Sequence, residues 1–145
     1  MAHITGSIRI EAPPERVFDT VADSRLEPSF NPAMTAVELL TPEPIGVGTM
    51  FRAHMANAGM EMLVELIEFD RPRRLRSRTT STMMETIGSI TFTGDAGATR
   101  MSWDWQVRPK GWFRAPGPLV ALLGRRMERR IWTGLKRKLE STNPS

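Results

Sequence analysis

Few side chains in this sequence combine the type and the spacing that chemistry needs. It has two histidines, His3 and His54, and neither cysteine nor tyrosine. A thiolate nucleophile, a cysteine zinc site and a disulfide framework are thereby excluded. Two separated histidines form no metal constellation, so neither a metal nor another cofactor is expected. Arg74, Arg76 and Arg78 recur at every second position, the period of a strand, and so share one sheet face. The alternation of Phe51, Ala53 and Met55 turns His54 to the opposite, outer face, and the same logic places Glu61, Glu65, Arg100 and Asp104 there. On that face they are expected to pair across strands, each pair contributing roughly 0.2–1 kcal/mol. Ser77, Thr79 and Thr86 are the polar groups expected inside, where a hydroxyl can orient a ligand carbonyl or hydroxyl. With no inward acid expected, general acid–base catalysis lacks an actor.

The elements that must hold these groups are legible from periodicity. Ile4, Ile8 and Ile10 predict a first strand, which Pro13-Pro14 ends. Proline suits the first turn of a helix, and Glu15 and Asp19 favour its N-terminal half. A second short helical piece is expected over Ser24 to Phe30. Strands follow at Thr35–Leu40, Thr49–Ala56, Met60–Phe69, Leu75–Thr79, Met84–Phe92 and Thr99–Val107, separated by Pro-, Gly- and Asp-rich turns, Asn57-Ala58-Gly59 among them. Short turns imply an antiparallel meander. A long helix is expected from about Pro118 to Glu140, with the apolar stripe Leu119, Leu123, Met127, Ile131 and Leu135. The result is an α+β protein with a curved antiparallel sheet of about seven strands, two short helices after the first strand, and a long terminal helix covering one sheet face. That face would carry Phe51, Met55, Met60, Met62, Met84, Ile90, Met101, Trp103 and Trp105. One domain over 1–145 is expected.

The formal charge of +4 hides a polarity. Residues 1–99 carry 9 basic and 13 acidic side chains, whereas residues 100–145 carry 11 and 3. Nucleic-acid binding would need a groove-reading element beside the basic surface, and the helix's apolar stripe is already committed to the sheet. No nucleic-acid partner is expected. A solvated outer face is the leading reading, with weak contact with an anionic membrane surface as the alternative. Met1-Ala2-His3-Ile4-Thr5 lacks the pattern of a signal peptide, and a cytoplasmic location is expected.

The chain resembles the START/SRPBCC (Bet v 1-like, helix-grip) superfamily, especially its polyketide cyclase/dehydrase and lipid-transport branch. The residues that carry the likeness are Ile10-Glu11-Ala12-Pro13-Pro14-Glu15-Arg16-Val17-Phe18, Ala22-Asp23 and Pro28-Ser29-Phe30-Asn31-Pro32. Val47-Gly48-Thr49-Met50-Phe51, Gly97-Ala98-Thr99-Arg100 and Leu135-Lys136-Arg137-Lys138-Leu139-Glu140 extend it over nearly the whole chain. The resemblance implies a cavity between sheet and terminal helix. Its expected lining is Phe51, Met55, Met60, Met62, Val64, Ser77, Thr79, Met84, Thr86, Ile90, Met101, Trp103 and Trp105 from the sheet, with Leu119, Leu123 and Met127 from the helix.

Gly88, Gly124 and Gly134 interrupt regular elements, each at a cost of roughly 1 kcal/mol relative to alanine. Room for a ligand and close helix–sheet packing are both open as the compensation. Trp112 and Phe113 lie between glycines just before the long helix, either as a gate over the cavity mouth or as a seal on the sheet edge. The expected function is binding or transport of a small-to-medium hydrophobic ligand (lipid, polyketide or aromatic) by a monomer or homodimer. An aromatase/cyclase-like enzyme and a regulatory protein with a filled core are the alternatives.

Overall fold

The computed structural model describes residues 2–56, 60–110 and 117–141, with side chains except at 117–121. Seven strands form: β1 (Ala2–Ile10), β2 (Met34–Leu39), β3 (Met50–Met55), β4 (Glu61–Asp70), β5 (Arg74–Thr80), β6 (Met84–Asp95) and β7 (Ala98–Pro109). They make one antiparallel sheet in the order β1-β7-β6-β5-β4-β3-β2. Helix α1 (Pro14–Ala22) and a 3-10 helix (Ser24–Ser29) follow β1, and α2 (Gly117–Ser141) ends the described chain. The expected α+β helix-grip arrangement is therefore present. The hairpin turn expected at Asn57-Ala58-Gly59 lies outside the described residues.

Side-chain alternation sets the two sheet faces. Register brings Phe69, Leu75, Ile90, Trp103 and Gly6 into one row across β4, β5, β6, β7 and β1, all toward the helices. In β4 the register shifts between Leu66 and Glu68. Such a bulge adds one residue to one strand, so Phe69 returns to the inner face while Glu68 faces out and pairs with Arg74 at 2.5 Å. The outer face also holds Arg78–Glu65 at 3.7 Å and Arg52–Glu61 at 3.8 Å. His54 sits there as expected, 2.8 Å from Glu38.

Helix α1 starts on Pro14 with Glu15 in its first turn and buries Val17, Phe18 and Ala22. The Phe18 ring stands edge-on to Phe69 and Phe92, with centroids 5.1 and 5.2 Å away. Edge-to-face contacts of this kind add about 0.5–1.5 kcal/mol beyond area burial. They close one end of the space above the sheet.

Helix α2 lies against β1, and its contact face differs from the expected stripe. Leu123 and Met127 are exposed, whereas Trp132, Leu135 and Leu139 are buried. Ile131 and Leu135 of the expected stripe do pack against the core, but toward the start of the helix the contact face turns by one residue, from Leu123 and Met127 to Gly124 and Glu128, and Trp132 joins it. The reason is steric. A Cβ on Gly124 would lie 2.1 Å from Ile4 Cδ1, and one on Gly134 would lie 2.4 Å from the Phe30 carbonyl oxygen. At Gly88 it would meet the Asp104 carbonyl oxygen at 2.0 Å. Close packing, not space for a ligand, compensates all three glycines. Lys136 donates to the Arg9 carbonyl at 2.8 Å and to Glu140 at 2.7 Å. Glu140 in turn accepts from the Glu11 amide at 2.9 Å, fixing the C-terminal turns of α2 to the end of β1. Among the described residues no helix is long and apolar enough to cross a membrane.

Candidate functional site

Between the sheet, the 3-10 helix and α2 lies a pocket of about 230 Å³. Of the residues expected to line it, Met55, Met62, Val64, Ser77, Thr79, Met84, Thr86, Ile90, Trp105 and Met127 do so. Ser77, Thr79 and Thr86 thus face inward as expected. Met127, half-exposed, stands at the rim.

The other expected lining residues lie elsewhere. Phe51 and Met101 are fully buried in the packed core, and Trp103 is buried against Trp132, ring centroids 6.0 Å apart. Met60 precedes β4 and is only half-buried; its carbonyl accepts from the Met55 amide at 2.8 Å. Leu123 points to solvent. A period of two fixes the face of a strand but not the depth along it, and Met101 sits at the end filled by Phe92 and α1. Leu119 and the gate residues Trp112 and Phe113 lie outside the described side chains.

Two carboxyl groups contradict the expectation of no inward acid. Glu27 comes from the 3-10 helix and Glu128 from α2, and both line the pocket. The 3-10 helix is shaped by its own polar groups. Asp23 accepts from the Arg25 amide at 3.1 Å, and the Glu27 carbonyl accepts from the amides of Phe30 and Asn31 at 2.9 and 2.8 Å. That turn carries the buried Asn31 back beside Glu27, where its Nδ2 donates to Glu27 Oε2 at 2.8 Å. Asn31 Oδ1 is itself occupied by the Ala33 amide at 3.1 Å. On α2, Trp132 Nε1 donates to Glu128 Oε2, one helical turn back, at 2.6 Å.

Burial dominates the electrostatics of the pair. Desolvation pushes Glu27 above the usual carboxylate range, opposed by the hydrogen bond from Asn31. Desolvation likewise pushes Glu128 up to about 7; the Trp132 hydrogen bond opposes this and the nearby charge of Glu27 adds to it. The Trp105 N–H also pulls Glu128 down weakly, yet Trp105 Nε1 is shut off from solvent and has no hydrogen-bond partner among the described residues. A mostly apolar pocket with a few hydroxyls therefore has one acidic wall, in which Glu128 exchanges a proton near neutral pH.

The signals for this wall were present but faint. Glu128 is the one acid among the run Arg125-Arg126-Met127-Glu128-Arg129-Arg130, with a tryptophan four residues on. Glu27 and Asn31 stand at the same spacing of four. Nothing in either pattern alone turns the carboxylate inward.

A larger hollow of about 500 Å³ lies on the opposite sheet face, lined by Thr5, Ser7, Ser89, Thr91 and Ser102 among others. It is broad, open and polar, without the enclosure that characterises small-molecule sites. Among the described residues no group of His, Asp and Glu could hold a metal ion.

The family model described as polyketide cyclase/dehydrase and lipid transport matches residues 1–140. Similar solved structures include a START superfamily protein from Mycobacterium smegmatis, at 15% identity and TM-score 0.85 over 99% of this chain and 100% of that one. TTHA0849 from Thermus thermophilus is 20% identical, TM-score 0.79, over 98% and 99% of the two chains. Ara h 8.0201 is 15% identical, TM-score 0.77, over 97% and 98%. At these identities the likeness is one of fold. No curated protein matches the sequence.

Proposed function

This chain belongs to the polyketide cyclase/dehydrase and lipid transport family, and we propose that it binds a small-to-medium hydrophobic molecule in the pocket between sheet and α2. The observation that carries the reading is the pocket itself, walled by Met55, Met62, Met84, Ile90, Trp105 and Trp132. Methionine adapts its shape to apolar partners, and aromatic faces accept flat ligands. The size narrows the class. A cavity of about 150 Å³ holds benzene, and drug-sized sites run from about 300 to 1,000 Å³. At about 230 Å³ the pocket suits one or two rings, or an aliphatic group of that bulk, better than an extended lipid chain. Native mass spectrometry of gently purified protein tests the reading: a co-purifying apolar molecule is expected. A persistently empty protein that also ignores hydrophobic dyes would favour a regulatory protein with a filled core.

A second reading, a cyclase-like enzyme, is favoured by the inward carboxyls. Glu128, poised to exchange a proton near pH 7, is the group that general acid–base chemistry requires. Turnover of a small enolisable ketone, lost in Glu128→Gln, would separate an enzyme from a carrier.

Loading from an anionic membrane surface fits the outer side of α2. There Leu122, Leu123 and Met127 are exposed beside the exposed Arg126, Arg129 and Arg130. Salt-sensitive co-sedimentation with anionic vesicles tests it, and no binding at low salt would remove it.

A further inference from the structure

We propose that the pocket selects a hydrophobic ligand carrying a protonated amine, an arylalkylamine of one or two rings, with its ammonium group seated against Glu27 and Glu128. The proposal rests on the binding reading above and names the chemical class of its ligand.

The charge of the wall points to a cation. The protein is net positive, yet the described residues lining the pocket include Glu27 and Glu128 and no lysine, arginine or histidine. Each element contributes to that balance. The strands present the hydroxyls of Ser77, Thr79 and Thr86 and the indole of Trp105, α1 presents Val21, and the 3-10 helix and α2 present the two carboxyls. An anionic ligand would meet an acidic wall, and a neutral one would leave the second oxygen of each carboxyl without the donor that an ammonium supplies.

Hydrogen bonding points the same way. Asn31 and Trp132 each engage Oε2 of their glutamate. A carboxylate can accept several bonds, so Oε1 of each is left for a donor, and an ammonium group supplies three. Trp105 Nε1, buried and without a partner among the described residues, stands ready for the same chemistry. When a cation holds Glu128 ionised, its carboxylate becomes the natural acceptor for a second indole N–H. Trp105 and Trp132 also line the pocket, and aromatic rings attract a cation.

The test is calorimetric titration of the full chain at pH 7 with three ligands of nearly equal shape: 2-(1-naphthyl)ethylamine, 2-(1-naphthyl)ethanol and 1-naphthylacetic acid. The amine is expected to bind about tenfold or more tighter than the alcohol, as a charge-assisted contact allows, and the acid more weakly than either. In Glu27→Gln and Glu128→Gln the amine should fall toward the alcohol, while alcohol binding, which reports an intact pocket, is retained. Equal binding of amine and alcohol by the unaltered protein overturns the amine class and leaves the pocket reading standing. Binding of none of the three removes both. An amine preference that survives in both variants overturns the assignment to the glutamates. If Glu128→Gln loses its fold, Glu27→Gln and the three-ligand comparison still decide.

Discussion

Trp132 donates its indole N–H to the Glu128 carboxyl four residues earlier, across 2.6 Å, on the face of α2 turned toward the sheet. One contact thus joins the packing of the helix to the chemistry of the pocket. The Trp132 ring is buried against Phe30 and Trp103, centroids 6.2 and 6.0 Å away, so its position is fixed by the core. The carboxyl it holds is fixed in turn. A helix packed through leucines alone would have left Glu128 free to turn to solvent.

Replacing Trp132 by Phe removes the N–H and keeps most of the aromatic bulk. Because that hydrogen bond lowers the Glu128 pKa against desolvation, its loss should move the Glu128 titration upward from about 7. Carbon-13 NMR of the glutamate side-chain carboxyls, with Glu128→Gln to assign the resonance, reads the shift. A midpoint that stays in place or falls would mean the indole does not govern this carboxyl.

Glu128 should also leave a mark on stability, with a definite sign. Its folded pKa lies above the unfolded value of 4.5, near 7. The folded state therefore holds more protons between those values, and stability falls as pH rises through that window. Below about pH 4.5 the penalty is absent, and above about 7 it is complete. Glu128→Gln should then stabilise the protein by about 1–3 kcal/mol at pH 8 and by little at pH 4, measured by urea unfolding. A gain of equal size at both pH values would place the effect in packing instead.

The fold was readable because it depends on periods. Ile4, Ile8 and Ile10, or Met101, Trp103 and Trp105, declare a strand face by alternation alone. Depth was not readable. Met101 and Trp105 share a face, yet Met101 is sealed under Phe92 while Trp105 reaches the pocket, because α1 fills one end of the sheet and no pattern in β7 encodes that. The upper part of the helix face eludes the pattern for a related reason. Counting apolar residues favoured Leu123 and Met127, but contact went to the side with the least bulk, at Gly124, and the largest single ring, at Trp132. The acidic wall depends on both effects, since Glu128 faces inward only because contact runs along Gly124 and Trp132, and Glu27 only through its 3-10 turn.

Gly124 and Gly134 should respond differently to alanine despite equal helix propensity gains. At Gly134 the new methyl would meet backbone, the Phe30 carbonyl oxygen at 2.4 Å, which can move only with the 3-10 helix. At Gly124 it would meet the far end of the flexible Ile4 side chain. Overpacking costs about 1–3 kcal/mol, against a gain of about 1 kcal/mol for alanine in a helix. Gly134→Ala should therefore destabilise by a net of up to about 2 kcal/mol, and Gly124→Ala by clearly less, in parallel denaturant titrations. The reverse order would show that α2 approaches the sheet differently.

Ser77→Leu distinguishes an open pocket from a filled core. Ser77 is 8% exposed and faces the pocket from the middle of β5, opposite Gly88. In a solid core three added carbons would strain their neighbours by about 1–3 kcal/mol. With space in front of it, the leucine can extend into the pocket, and the apolar area it buries offsets the strain, so unfolding should change by less than about 1 kcal/mol. The ligand should then be displaced: affinity for 2-(1-naphthyl)ethanol should fall about tenfold or more, because the leucine occupies volume the rings need. Thr93→Leu, on the exposed outer face of β6, serves as the control and should leave that affinity unchanged. A strongly destabilised Ser77→Leu would argue for a filled core, and a stable variant with undiminished affinity would place the ligand somewhere other than this pocket.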